Sequence, residues 1–268
     1  MRVSPNVLLP LLIVTSMAEC QAGFVAHWRF EEGTAGQAAS GAGSILDSSG
    51  NGLHMTPRGN PTYTTDSAPG SNLAMAFDRV GDMAYRADSS QFQLQSLTIE
   101  AFVKYNGGGG LQQIFFRGDY RGGRDPYYLA INNGALRFNI SDLSADRAIQ
   151  SSTQLQVGQL LHVAATLDHA TDIMKIFVDG NEVASGSAAG MRPNVGLVNG
   201  RVSIGGLSDG YNYGQNFNGI IDEVRIADTA LNPGQFLYNP VPEPSSFVVF
   251  GTLIGGLQFL RRRRRNRC

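Results

Sequence analysis

The sequence predicts an all-β, two-sheet antiparallel sandwich, on three observations. Short apolar runs of period two recur between clusters of Gly, Asn, Asp and Ser, at the spacing expected of a sandwich. Glycine supplies 33 of the 268 residues and 42% of the chain is apolar, enough to build a core around many tight turns. Only 16% is charged, against roughly 25% in an ordinary soluble domain, and no convincing helix of ten residues appears between about Gly23 and Tyr238. This balance excludes disorder, which needs few apolar residues and high charge, and it excludes a helical bundle or coiled coil.

The elements follow in chain order. Phe24, Ala26, Trp28 and Phe30 alternate onto one face of a first strand. Leu97, Ile99, Ala101, Val103 and Tyr105 do the same in a second run, and Leu161, Val163, Ala165 and Leu167 in a third. Between the second run and the next apolar strand, Gly107 to Gly110 reads as a flexible hairpin loop rather than a phosphate cradle. IMKIFVDGNEVASG gives two strands around Asp179-Gly180-Asn181, a hairpin signal because such residues tolerate positive φ. RVSIGG and FNGIIDEVRIAD complete the series, and Pro233 limits the segment after them to one helical turn.

Read together, HWRFEEG, LDSSGNG, AMAFDRVGDMAY, LTIEAFVKY, LLHVAATLD, IFVDGNEV and NGIIDEVRIADTAL resemble, in order, a laminin-G-like domain of the concanavalin A-like lectin/glucanase superfamily. That resemblance covers residues 23–238 and implies a jelly roll whose first and last strands are neighbours. One departure is Phe102, where the family usually carries tryptophan.

Both ends read as processed segments. Residues 1–22 carry one arginine, an apolar run from Val7 to Val14 and then small residues, the pattern of a secretory signal peptide. Cys20 offers a lipoprotein alternative, although Glu19 before it suits a lipid-anchoring signal poorly. Residues 239–268 run from a proline-rich spacer through the apolar stretch Phe247 to Leu260 into an arginine block. That stretch is short for a span of about 20 residues, but flanking arginines let a short transmembrane helix sit in a bilayer. Pro242-Glu243-Pro244, the apolar stretch and Arg261, Arg262, Arg263, Arg264 and Arg265 together resemble a PEP-CTERM sorting signal. The resemblance implies a Gram-negative bacterium, transient inner-membrane association, an exosortase-type processing enzyme as partner, and delivery to the outer surface or extracellular matrix. A simple C-terminal anchor is the alternative.

Residues 20–260, which leave out the end arginines and Glu19, hold 14 basic against 21 acidic residues, a balance of −7. An acidic body excludes nucleic acid as a partner. Cys20 and Cys268 are the two cysteines, so the domain between them holds no disulfide framework, zinc ribbon or thiol nucleophile.

Glycanases of the resembled superfamily use E-x-D-x-x-E on one strand, and that triplet is absent. Asp222 and Glu223 are adjacent, so on a regular strand they point to opposite faces and cannot form a facing acid pair. No HExxH, GxSxG or Walker loop occurs, and His27, His54, His162 and His169 lack metal-ligand spacing. The domain therefore reads as non-enzymatic, with a divergent glycan-cleaving enzyme as the minor alternative.

Two candidate sites remain. Alternation places Asp222 beside Ile220, Val224 and Ile226 on an apolar face, where a carboxylate needs a partner. Glu31, Glu32, Asp47, Asn51 and Asp222 could share a structural Ca²⁺, which takes hard oxygen ligands. Alternatively Asp222 caps loop amides and Asp47 makes an Asx turn. The loops 117–127 and 209–216 mix aromatic rings with polar side chains, which suits a sugar. Tyr120, Tyr211, Asn212 and Tyr213 are the candidate ligand residues for an exopolysaccharide or surface glycan, unless the tyrosines simply pack down on the sandwich edge. A structural or adhesive calcium-stabilised surface protein without glycan binding is the alternative reading of the domain.

Overall fold

A computed structural model describes residues 23–121, 125–142 and 144–238. The expected signal peptide, membrane helix and sorting residues 242–244 and 261–265 lie outside the described residues. Among the described residues, no helix is long and apolar enough to cross a membrane.

Among the described residues, seventeen strands, β1 to β17 in chain order, build two antiparallel sheets and a small ribbon. One sheet has eight strands in the order β13 (Asn181–Ser187), β12 (Ile173–Val178), β11 (Leu160–Asp168), β6 (Leu97–Tyr105), β17 (Asn218–Ala227), β4 (Ala74–Asp78) and β3 (Thr62–Thr64). Its eighth strand, β1 (Phe24–Trp28), also pairs with β17. The second sheet has seven strands: β10 (Asp146–Gln154), β9 (Ala135–Ser141), β8 (Tyr127–Asn132), β7 (Leu111–Gly118), β14 (Arg201–Ile204), β5 (Met83–Ala87) and β2 (Thr56–Arg58). The ribbon joins β15 (Leu207–Ser208) to β16 (Tyr213–Gly214). First and last strands are neighbours, as expected.

The core lies between the sheets because the inward alternating residues are apolar. Leu97, Ile99, Ala101, Val103 and Tyr105 of β6, and Leu161, Val163, Ala165 and Leu167 of β11, all enter it. Trp28 is fully buried, stacks on Phe92 at 6.5 Å and donates its indole N–H to the Leu53 carbonyl at 2.9 Å. Asp179 and Gly180 turn the β12–β13 hairpin at φ 47° and 74°. A 3-10 turn at Pro233–Gln235 is the only helical structure after β17 among the described residues.

Three sequence expectations are corrected. Gly107 to Gly110 does not close a hairpin: it joins β6 to β7, which belong to different sheets. Phe24 leaves the core face, because the β1–β17 register shifts between Phe24 and Ala26. Most consequentially, β17 carries a bulge between Asp222 and Arg225. Ile221, Val224 and Ile226 face the core, whereas Ile220 and Asp222 do not. Glu223 takes φ 50°, which re-aims its side chain so that it lies with Asp222 instead of opposite it. Near the start of β17, Gly219 is required: at φ 142° a Cβ there would come within 1.9 Å of the Lys104 carbonyl oxygen.

Beyond β17, the chain folds back across the outer face of the eight-stranded sheet. Leu231 and Phe236 pack with Ala164, Phe177 and Ala227 in a second apolar cluster. Beneath them Glu100, fully buried, accepts bonds from Arg225 Nε at 2.7 Å, the Leu237 amide at 2.8 Å and His162 Nε2 at 2.9 Å. A buried pair broken by removing one partner leaves an uncompensated charge. Glu100→Ala is therefore expected to lower urea-unfolding stability by about 3–5 kcal/mol. Lys175→Ala, which breaks an exposed pair with Glu182, is expected to change it by about 1 kcal/mol or less. Equal effects would show that the buried network does not hold the C-terminal segment.

Burial pushes the Asp222 carboxyl up to about 7, the nearby Glu223 charge adding to the effect. An unfolded Asp ionises near 3.8, so between those values the folded state binds more protons and stability falls as pH rises. Asp222→Asn is expected to gain about 4 kcal/mol relative to the parent between pH 4 and pH 7.5, at 1.36 kcal/mol per pKa unit. A difference that stays constant across that range would overturn the assignment.

Candidate functional site

On the seven-stranded sheet, the outward positions form rows. Tyr85 lies opposite Thr56 and Ser203, Ser203 opposite Phe116, and Phe116 opposite Tyr128. Arg201 lies opposite Ala87 and Gly118. The segment from Gly205 to Asn216 folds over this face. Gln113 anchors it twice, donating its amide to the Gln215 carbonyl at 2.9 Å and its side chain to Gln215 Oε1 at 2.6 Å. Ser203 Oγ adds a third tie, accepting from the Ser208 amide at 3.2 Å.

Loop tips then set the tyrosines. Asp209 accepts the amides of Tyr211 at 2.9 Å and Asn212 at 2.6 Å, closing a tight turn that leaves Tyr211 64% exposed. Asp119 accepts the Arg121 amide and the Val198 amide, which fixes the neighbouring loop. Tyr120 and Tyr211 thus meet edge to face with ring centroids 4.9 Å apart, although they are far apart in the chain. Tyr213 is 40% exposed beneath the Arg58 guanidinium, which lies 3.8 Å from its centroid.

The structure therefore brings together Tyr120, Tyr211 and Tyr213 as outward rings. Asn212 is engaged instead, its side-chain amide donating to Asp209 at 2.7 Å. Of the first candidate loop, Arg117 and Tyr127 are fully buried: Arg117 makes paired 2.8 Å bonds to Asp88, and Tyr127 stacks on Phe115. Packing down thus holds for Tyr127 and not for the three exposed rings.

Sequence reasoning missed Arg58, Tyr85 and Arg201 at this surface, whereas Asp125 belongs to the candidate loop 117–127. Asp125 lies over Gly118, where a Cβ would come within 2.1 Å of its Oδ1. Burial, together with Asp209, Asp119 and Asp146, pushes its carboxyl up to about 7. A sequence signal existed only for Tyr85 and Arg201, as outward positions of strands flanking the loops.

The five residues expected to share calcium are engaged separately. Asp47 accepts the amides of His27, Ser49 and Leu53 at 2.9–3.0 Å, and these bonds outweigh its burial and hold its carboxyl below the usual range. Asn51 donates to the carbonyls of Phe24 and Val25. Glu31 accepts from Ser71 and the amide of Asn72, while Glu32 accepts from the Tyr63 hydroxyl and, through burial, is raised. Asp222 accepts the Ala68 amide at 2.8 Å. Among the described residues, no three His, Cys, Asp or Glu side chains gather as a metal-holding group.

Glu223 lines a cleft of about 450 Å³ on the eight-stranded side, with His27, Arg29, Ser48, Phe102 and Leu237. His27 Nε2 lies 2.5 Å from Glu223 Oε2, and Arg29 Nε donates to Oε1 at 3.0 Å. Burial would raise the Glu223 carboxyl, but these bonds outweigh it and hold it low. Asp222 and Glu223 share a side but are tied to amides and cations, and no second carboxylate lines the cleft.

Because backbone amides already satisfy the Asp47 and Asp222 carboxylates, calorimetric unfolding with EGTA and with added calcium is expected to give one midpoint. A rise with calcium would show that loop carbonyls complete a site around Asp47 and Asn51.

Comparisons place this geometry among known proteins. A search of curated proteins finds no match. Among solved structures, the binding domain of Paraclostridial Mosquitocidal Protein 1 superposes with TM-score 0.58 at 12% identity, over 79% of this chain and 50% of that one. The receptor binding domain of botulinum neurotoxin C/D mosaic serotype gives 0.58 at 13% identity, over 79% and 49%. Domain 4 of AbnA, a GH43 extracellular arabinanase from Geobacillus stearothermophilus, gives 0.56 at 18% identity, over 80% and 96%. The chain spans about half the length of the two toxin structures, and each likeness is one of fold. A sequence model of the Concanavalin A-like lectin/glucanases superfamily, Laminin_G_3, matches residues 80–235. With more than half its length matched and the two-sheet sandwich in place, the chain belongs to that superfamily.

Proposed function

We propose that this domain is a non-enzymatic carbohydrate-binding module, exported by its N-terminal signal and sorted by its C-terminal tail to the outer surface or extracellular matrix. The observation that carries the reading is the exposed Tyr120–Tyr211 pair, held edge to face over a rigid sheet. Rings fixed in this way present an apolar face to a sugar with little entropy left to lose. Asp125, a charged neighbour of Asp119 and Asp209 in the two loops, supplies a hydrogen-bonding carboxyl for hydroxyls. Support also comes from a fold neighbour, Domain 4 of AbnA, whose structure is in complex with arabinotriose, and from the two toxin binding domains. Against catalysis stand the ties of Asp222 and Glu223 to amides, His27 and Arg29, which leave no facing acid pair of the kind glycoside hydrolysis uses.

A glycan array that includes bacterial exopolysaccharides is expected to give hits with the 23–238 domain. Tyr211→Ala and Tyr120→Ala are each expected to weaken them about tenfold, the effect of roughly 1.4 kcal/mol of lost contact. The unfolding midpoint is expected to stay unchanged, since both rings are exposed. No hit, or hits indifferent to both substitutions, would overturn the reading. Release of reducing sugar from a bound polysaccharide would replace it with an enzymatic one.

A further inference from the structure

Along the β14–β5–β2 edge of the same face, cations and rings alternate. The Arg58 guanidinium lies 3.8 Å from the Tyr213 centroid. That of Arg201 lies 5.9 Å from the same ring and 4.6 Å from Tyr85, and its Nη1 donates to the Tyr213 hydroxyl at 3.2 Å. Strand register sets this order, with Arg58 opposite Met83, Tyr85 opposite Ser203, and Arg201 opposite Ala87. Arg58, Tyr85 and Arg201 are half-buried on the sheet, and the exposed Tyr213 ring is held between the two arginines.

Among the described residues, neither arginine has an acidic partner. Arg29, Arg117, Arg121, Arg192 and Arg225 each pair with a carboxylate. Among the described residues, by contrast, the polar contacts of Arg58 and Arg201 are a 3.4 Å bond to the Gly81 carbonyl and the Tyr213 hydroxyl. Among the described residues Arg79, Arg86, Arg137 and Arg147 also lack an ion pair, bonding to carbonyls or to the Tyr128 hydroxyl; what sets Arg58 and Arg201 apart is that both guanidiniums lie against one ring, Tyr213. A guanidinium stacked by its face keeps its N–H edge free, and that edge matches a carboxylate in fork geometry. The charged neighbours of Asp125, by contrast, are Asp209, Asp119 and Asp146, with no arginine among them.

We infer that Arg58 and Arg201 recognise an anionic group of the glycan, so that the ligand is an acidic polysaccharide carrying carboxylates of the uronic-acid kind. The inference rests on the carbohydrate-binding reading above. It assigns the two ends of the surface different tasks, Tyr120 and Tyr211 meeting sugar rings and Arg58 with Arg201 meeting the carboxylate.

Isothermal titration of the domain with uronic-acid oligomers, and with the same oligomers after carboxyl reduction, tests it. The acidic form is expected to bind at least about tenfold tighter, the worth of one charge-assisted fork. Arg58→Gln and Arg201→Gln are each expected to remove most of that preference while leaving the weaker binding of the reduced form unchanged. Arg201→Lys, which keeps the charge and loses the fork, is expected to fall between. Equal binding of acidic and reduced oligomers, with both sensitive to Tyr211→Ala, would overturn this inference and leave the carbohydrate reading standing. Binding of neither form, with an empty glycan array, would overturn both. Equal affinity for a single-stranded DNA oligomer would overturn the assignment to a uronate.

Discussion

One strand, β17, sets much of this structure. Its edge toward the N-terminal elements is shared: Asn218–Ile221 pair with β4, and Val224–Ala227 pair with β1. Its opposite edge pairs with β6 along both halves. The bulge at Asp222–Glu223 falls where one partner gives way to the other. The positive φ of Glu223 is strain of the order of 1–3 kcal/mol, offset by the bonds its side chain makes to His27 and Arg29.

That constraint distributes charge over the two faces. On the eight-stranded side, Asp222, Glu223 and Glu100 are bound to amides and cations, and the segment from Leu231 to Tyr238 covers part of the sheet. Its acidic groups are structural because each is already satisfied from within the fold. The seven-stranded side keeps groups in reserve: three exposed tyrosines, the arginines Arg58 and Arg201 set against Tyr213, and Asp125 among like charges. A binding surface needs groups the fold has not used, and they are concentrated here.

Much of the sandwich was legible in the sequence. Alternation alone assigned the core faces of β6 and β11, because a period of two is enforced by the pleat whatever the neighbours are. The β12–β13 hairpin followed from Asp179-Gly180, a local turn requirement. Tyr120, Tyr211 and Tyr213 were also within reach, since aromatic residues in glycine-rich loops between strands have few core positions to enter. Tyr127 misled for the opposite reason: it shares a polar, glycine-containing loop sequence with Tyr120, but it begins β8 on the inward side.

What escaped the sequence depends on contacts between distant segments. Alternation assumed an unbroken β17, so it put Asp222 and Val224 on one face, and only the bulge at Asp222–Glu223 reverses that order. Gly107 to Gly110 looked like a hairpin because a loop's length does not say which sheet receives the next strand. Arg58, Tyr85 and Arg201 lie on three strands separated by up to 143 positions, and strand register alone sets them side by side. Composition and period, being local, determined that the chain would form a sandwich with a buried aliphatic layer. Pairing between remote strands, which no local pattern encodes, decided where its unpaired charges and exposed rings converge.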